Sequence, residues 1–312
     1  MLDLQRRLTE LGLALGADEP GRFGTATRAA VEAFQHRRGL RVDGRCGPET
    51  WAVLVEAGYR LGDRRLHLTD PMLRGDDVAE LQQRLSALGF DTGRVDGIFG
   101  LLTSAAVADF QRNSGQPVDG IVGLATLREL LRMPTRHQAP ELVSTVRARE
   151  ELRRGNPTLS ELHLAVGETG GLGATVAALR RRLMGAGARV TELHHPDGSV
   201  QALQANAAEV DAYLGLRLDP DRSGCSTAYY AGYHYESPGG RRLAELVQAA
   251  LPAAIGVADL GVQGMSVPVL RETRMAAVIV ELGPAAAVVE QGQALAGALA
   301  LALGGWAGSH CE

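Results

Sequence analysis

Three charged residues close apolar stretches in the second half of the chain: Glu168 after "LHLAVG", Arg217 within "AYLGLRL" and Glu281 within "AAVIVEL". Each run reads as a buried strand, and ligands of open α/β sheets gather at strand carboxyl ends. A carboxylate placed there can ligate a cation or move a proton. A guanidinium has no lone pair for a metal, but its planar fork matches a carboxylate. A guanidinium at the tip of an apolar strand is costly unless something negative meets it there.

Other residues could carry chemistry. His163 sits within a strand, His194 and His195 precede Pro196 at a turn, and His234 lies on the "YYAGYHY" stretch. A catalytic zinc needs three converging protein ligands and a water. A site rebuilt from His163 or His195 with Glu168 is the arrangement these residues allow. Cys46, Cys225 and Cys311 are scattered and form no CxxC pair, which argues against a disulfide framework or a cysteine zinc site. "AVGETGGLGATVAAL" has the strand, Gly-rich turn and helix start that can cradle an anion. It lacks GK[ST] and GxGxxG, however, and Glu168 places a negative charge in the cradle.

The chain that positions these residues has 312 residues and a net charge of −4 with no long basic run, which excludes a nucleic-acid footprint. No apolar stretch of membrane-spanning length is free of charges and glycines, so no membrane span is expected. "MLDLQRRLTELG" carries Asp3, Arg6 and Arg7 and is no signal peptide, so the expected location is cytoplasmic. Export to the cell wall is the alternative if the true start lies upstream.

The first half repeats. "LQRRLTELG" at 4–12 returns as "LQQRLSALG" at 81–89, and "FGTATRAAVEAFQHRRGLRVDGRCGPETWAVL" at 23–54 as "FGLLTSAAVADFQRNSGQPVDGIVGLATLREL" at 99–130. The offset is 77 before the first loop and 76 after it. Each unit reads helix, Gly-rich turn, helix, "DG" turn, short helix, with Leu4, Leu8 and Leu11 or Leu81, Leu85 and Leu88 on one face. Residues 134–158 mix prolines and charges and read as a linker. From about 160 onward strands alternate with helices near 174–185, 199–209 and 239–251, the pattern of a mostly parallel sheet flanked by helices.

The pattern LQxxLxxLG…FGxxTxxAVxxFQxxxGLxxDGxxGxxTxxxL resembles the peptidoglycan-binding module found beside bacterial wall hydrolases. It covers nearly all of 2–56 and 74–132. The second half is similar to zinc-dependent N-acetylmuramoyl-L-alanine amidases. "ANAAEVDAYLGLRL" looks like that family's AN…AD-apolar-SIH segment, matching at Asn206 and Asp211 but with Gly215 at the serine and Arg217 at the ligand histidine. "VLRETRMAAVIVELG" matches its VLRxTxxPAVLVELG at Arg271 and Thr273, and Glu281 falls on the catalytic glutamate. Counting back from Gly187 puts Glu168 at the position of the ligand glutamate. The DPGHGG loop with the first ligand histidine has no counterpart.

The resemblance implies two small all-α three-helix peptidoglycan-binding repeats, at 1–60 and 72–133, a linker at 134–158 and an amidase-like α/β domain at 159–306. Glu168, Arg217, Arg271 and Glu281 are expected to share its pocket; the residues with which the repeats bind are not indicated. The amidase arrangement without its metal leaves Glu168 and Glu281 close together, which is unfavourable for two ionised carboxylates, so the resemblance implies that Arg217 bridges to Glu281 or Glu168; the rival is a side chain turned to solvent. No cofactor is expected, and zinc belongs to the alternative. The function implied is that of a catalytically inactive amidase relative, found in actinobacteria, which binds peptidoglycan fragments or a lipid-linked precursor and regulates cell-wall synthesis with a partner protein of precursor synthesis. The alternative is an active zinc amidase that cleaves between muramic acid and the stem peptide.

Overall fold

The structure is a computed structural model, and it describes residues 1–133, 158–220, 222–232 and 235–308. The expected linker lies outside the described residues except for its last position, as do His234 and Cys311. The chain divides into two units.

The repeats form the first unit. Helices α1 (Leu2–Glu10), α2 (Thr25–Arg37) and α3 (Pro48–Glu56) make one three-helix body; α4 (Asp76–Ala87), α5 (Leu101–Asn113) and α6 (Leu124–Arg132) make the other. The apolar stripes do what their spacing predicts: Leu4, Leu8, Val31, Phe34 and Leu54 fill the first core. Leu81, Leu85, Val107, Phe110 and Leu130 fill the second. A fork of Arg38 onto Asp76, at 2.8 and 2.7 Å, ties the two bodies together.

Each body is riveted by two buried glutamines. Gln82 donates to the Asp96 carboxylate, the Ile98 carbonyl and the Thr103 hydroxyl and accepts from the Gly97 amide. Gln35 bonds in the same way to Asp43, Arg45, Thr50 and Gly44, and Gln111 to Asp119, Ile121, Thr126 and Gly120. Gln5 reaches the Glu19 and Arg22 carbonyls, Thr27 and the Gly21 amide. A buried amide is tolerable only when its bonds are made, and here one side chain fixes a turn to the next helix. Gly44 and Gly120 occupy the left-handed region, at φ 66 and 68°, which the turn requires. The twofold repeat of the sequence is thus a fourfold repeat of helix, glutamine-held turn and threonine. The second core also takes in Leu61, Leu66 and Leu73, from residues preceding the boundary expected at 72 and just inside it.

The second unit holds a six-stranded sheet in the order β2-β1-β3-β6-β4-β5, with β1 (His163–Glu168), β2 (Arg189–His194), β3 (Ala212–Leu218), β4 (Gly224–Tyr230), β5 (Asp259–Met265) and β6 (Ala276–Gly283). Pairings are parallel except that of β4 with β6. The connecting helices are α7 (Gly173–Gly185), α8 (Gly198–Ala207), α9 (Pro238–Ile255), α10 (Pro268–Glu272), α11 (Ala285–Glu290) and α12 (Gly292–Gly308). Two differences from the sequence reading stand out. Strand β5, "DLGVQGM", gives no apolar run because it is a largely exposed edge interrupted by glycines. The stretch "STAYYAGYHY", which reads as one strand in the sequence, forms a strand that ends at Tyr230. Among the described residues no helix is long and apolar enough to cross a membrane.

The sheet buries both faces. Leu164, Val166, Leu214, Leu216, Val278, Val280 and Leu282 point toward the core shared with α7, α9 and α12. The alternate residues, among them Gly167, Tyr213, Gly215 and Ile279, face α8 and α10. Here Gly167 is needed for space: a Cβ would land on the Gln201 Oε1 and Tyr213 hydroxyl atoms, which are themselves bonded at 2.6 Å.

Candidate functional site

Strand β6 is apolar because helices cover it on both sides, yet its sixth residue is Glu281, 4% exposed. An ionised carboxylate so deep is costly unless a cation and hydrogen bonds meet it. Arg222 supplies both. It comes from the loop between β3 and β4, and its Nη2 contacts Glu281 Oε2. Nη1 donates to the Ser226 hydroxyl at 2.5 Å, and Nε lies 3.6 Å from Asp219.

Arg217 plays a smaller part than expected. Its Nη1 is 4.0 Å from Glu281 Oε1, the outer limit of an ion pair, and its side chain is 45% exposed. It pairs in register with Glu281, but the strand end opens to solvent there, and a long hydrated side chain gains little by folding inward. Arg222 descends from a loop that closes over the strand end and brings its fork down onto the carboxylate. Sequence reasoning missed Arg222, Asp219 and Ser226. The signal was the charged "RLDPDRS" turn straight after an apolar strand, but nothing local says which arginine turns inward.

The expected closeness of Glu168 and Glu281 is corrected as well. Glu168 pairs with Leu216, and Leu216 with Val280, so its side chain starts from the sheet face opposite to that of Glu281. Its carboxylate accepts from the Gly170 and Leu172 amides, at 3.2 and 3.1 Å, at the start of α7, and lies 3.2 Å from His194 Nδ1. There it meets unpaired amides and the positive end of the helix dipole. Period-two alternation by itself separates the two carboxylates that the sequence placed in one pocket.

The motif residues have structural partners. Asn206 donates to the Glu272 carbonyl and accepts from the Arg274 amide, pinning α8 to the segment ahead of β6. Asp211 accepts from the His163 amide at 2.7 Å, setting β1 against β3. Thr273 donates to the Leu270 carbonyl, and Arg271 is buried on α10, which packs under β4 and β6.

The zinc that the amidase resemblance implies does not fit these residues. Arg217 offers no lone pair, Glu281 is already bonded by a guanidinium, and Glu168 belongs to the other face. His163 bonds to Thr191 at 2.8 Å, and His195 accepts from the Asp197 amide. His194 lies between Glu168 and Glu192, whose hydrogen bonds raise its pKa, Glu192 contributing most, against a smaller effect of burial. Among the described residues no three His, Cys, Asp or Glu side chains converge as a metal site.

A pair of glutamine-riveted helical repeats and a mixed sheet with helices on both faces make a multidomain protein of a helical repeat unit and an α/β unit. The peptidoglycan binding domain family, PG_binding_1, matches residues 1–54 and 74–130. The N-acetylmuramoyl-L-alanine amidase CwlM of Mycobacterium tuberculosis is 36% identical over 291 residues, covering 84% of this chain and 71% of that protein. CwlL of Bacillus licheniformis, an N-acetylmuramoyl-L-alanine amidase, is 34% identical over 150 residues, 41% of either chain. Among solved structures, the amidase Ami1 from Mycobacterium smegmatis aligns with TM-score 0.42 and 16% identity, covering 49% of this chain and 99% of its own. The chain belongs to the N-acetylmuramoyl-L-alanine amidase family.

Proposed function

We propose that the chain binds peptidoglycan fragments or a lipid-linked precursor, that its amidase-type domain does not hydrolyse them, and that it regulates cell-wall synthesis. One observation carries the reading: Arg222 occupies the carboxylate of Glu281, the residue at the family's catalytic position. A general base must reach the proton that it takes, and a carboxylate bonded to a largely covered arginine is held back from that task. Among the described residues no donor set converges around it, which supports a metal-free site, and the peptidoglycan binding domain match supports binding through the repeats. A cytoplasmic location and a partner protein of precursor synthesis belong to the same proposal, because regulation of that synthesis needs both. The alternative, an active zinc amidase, rests on retention of Glu281.

The test is hydrolysis of purified muropeptides by the full chain with added zinc, read as free stem peptide by mass spectrometry. Retained binding without release is the expected result. Turnover comparable to that of an active amidase assayed beside it would establish the alternative.

A further inference from the structure

Two arginines reach the start of α4 from different parts of the first unit. Arg64 belongs to the stretch that joins α3 to α4. Its Nε and Nη2 donate to the two oxygens of Asp77, at 2.7 and 3.1 Å, and Nη2 also donates to the Arg74 carbonyl. Its guanidinium carbon lies 3.7 Å from the Tyr59 ring centroid, and the Asp77 side chain is 1% exposed. Gly75 makes room for this packing, since a Cβ there would collide with Asp77 Oδ1 and Arg64 Nη2. Parting the pair would strand a buried carboxylate without its cation, so it stays closed.

Arg38 is placed differently. It directly follows α2 in the first repeat and sends both Nη atoms across to the carboxylate of Asp76. The Asp76 side chain is 30% exposed and sits in the first turn of α4, where water and the helix dipole support its charge even when the arginine leaves. This pair can therefore open at modest cost. The backbone between the two bodies is short: Ala57 belongs to the first core, and Leu61 already packs on the second. Tyr59 is held under Arg64, so Gly58, with no side chain to anchor it, is where that backbone can turn.

We propose that Arg38 and Asp76 form a latch that holds the two repeats in one fixed orientation, and that opening it lets the first repeat turn about Gly58 while both three-helix bodies stay folded. A two-pronged fork sets an angle as well as a distance, which a single-point contact does not. Each apolar core closes within its own repeat and the stretch that joins them, and neither contains Arg38 or Asp76. The latch thus governs how the two modules are presented together, and the Arg64–Asp77 pair keeps the second module intact when it opens.

The test is the distance between the repeats in the full chain, read by pulsed electron paramagnetic resonance. Nitroxide labels are attached through Ala33→Cys in α2 and Ala105→Cys in α5, both exposed positions. The background carries Cys46→Ser and Cys311→Ser, while Cys225 is buried and takes no label. With the latch intact the distance distribution should be a single narrow peak. Arg38→Ala and Asp76→Asn should each widen it at least about twofold, and the double variant should widen it no further, because the two side chains act as one pair. Arg112→Ala, which removes an exposed pair with Asp109 inside α5, should leave the peak unchanged. Helicity by circular dichroism should be the same in every variant. The proposal fails if the peak stays narrow in Arg38→Ala and Asp76→Asn, or if it is already broad in the unmutated pair. It also fails if the two substitutions widen it additively, or if both lower helicity, which would make the pair part of the fold rather than a latch.

Discussion

At the scale of single residues, the amidase-type domain turns on which group neutralises Glu281. Removing one partner of a buried pair leaves an uncompensated charge, so Arg222→Ala should destabilise the domain by about 3 kcal/mol. Combining it with Glu281→Gln should recover part of that loss, because the buried charge of Glu281 is then gone while that of Asp219 stays. Chemical denaturation of the four proteins in this cycle checks the coupling; additive effects would mean that the pair contributes nothing. Arg217→His should restore no hydrolysis, since one imidazole at the strand end does not assemble three ligands. His194 supplies a pH test. Its folded pKa is raised above the ordinary 6.5 by Glu192 and Glu168, so its stabilising contribution is full below about 6.5 and lost as pH rises through the folded value. Its side chain is half exposed, so the contribution is a fraction of that of a buried pair. Melting of wild type and His194→Gln between pH 5.5 and 8.5 should differ most at the acid end and converge at the alkaline end. Glu281 and Arg217 were legible in the sequence because each interrupts an apolar run. Arg222 was not, because its role depends on how a loop closes over a strand end.

At the scale of elements, the glutamines carry the repeats. Gln82 and Gln111 each satisfy turn atoms that lie 14 or more and 8 or more residues away in sequence. Gln82→Leu or Gln111→Leu should cost about 2–4 kcal/mol by leaving buried turn groups unpaired, measured as a loss of urea stability of the repeat unit. A loss below about 0.5 kcal/mol would show the turns to be held by their own geometry. The helices and turns of this unit were legible, since leucine spacing and "DG" turns act locally. The rivets were visible as LQ, FQ and DGxxGxxT, but their function requires the long-range pairing that the fold provides. In the sheet, apolar runs revealed β1, β3 and β6. Edge strand β5 escaped because a strand exposed on its outer side needs no apolar run. The assignment of Glu168 and Glu281 to one pocket failed on a single residue of register, which decides the face of every side chain in a strand.

At the scale of the whole molecule, family membership and site chemistry point in different directions. The chain has the repeats and the sheet of an N-acetylmuramoyl-L-alanine amidase, and at the strand ends it has guanidinium groups where a metal centre would need lone pairs. Folding that depended on zinc would fail under chelation, because metal binding energy is folding energy in such sites. The melting temperature of the full chain should therefore stay within about 1 °C in excess EDTA. The most direct test is the zinc content of the purified full chain after dialysis against zinc and removal of the unbound metal. The account predicts well under 0.1 zinc per chain, at the background of a protein with no site. One zinc per chain, lost together with stability on Glu281→Gln, would contradict it.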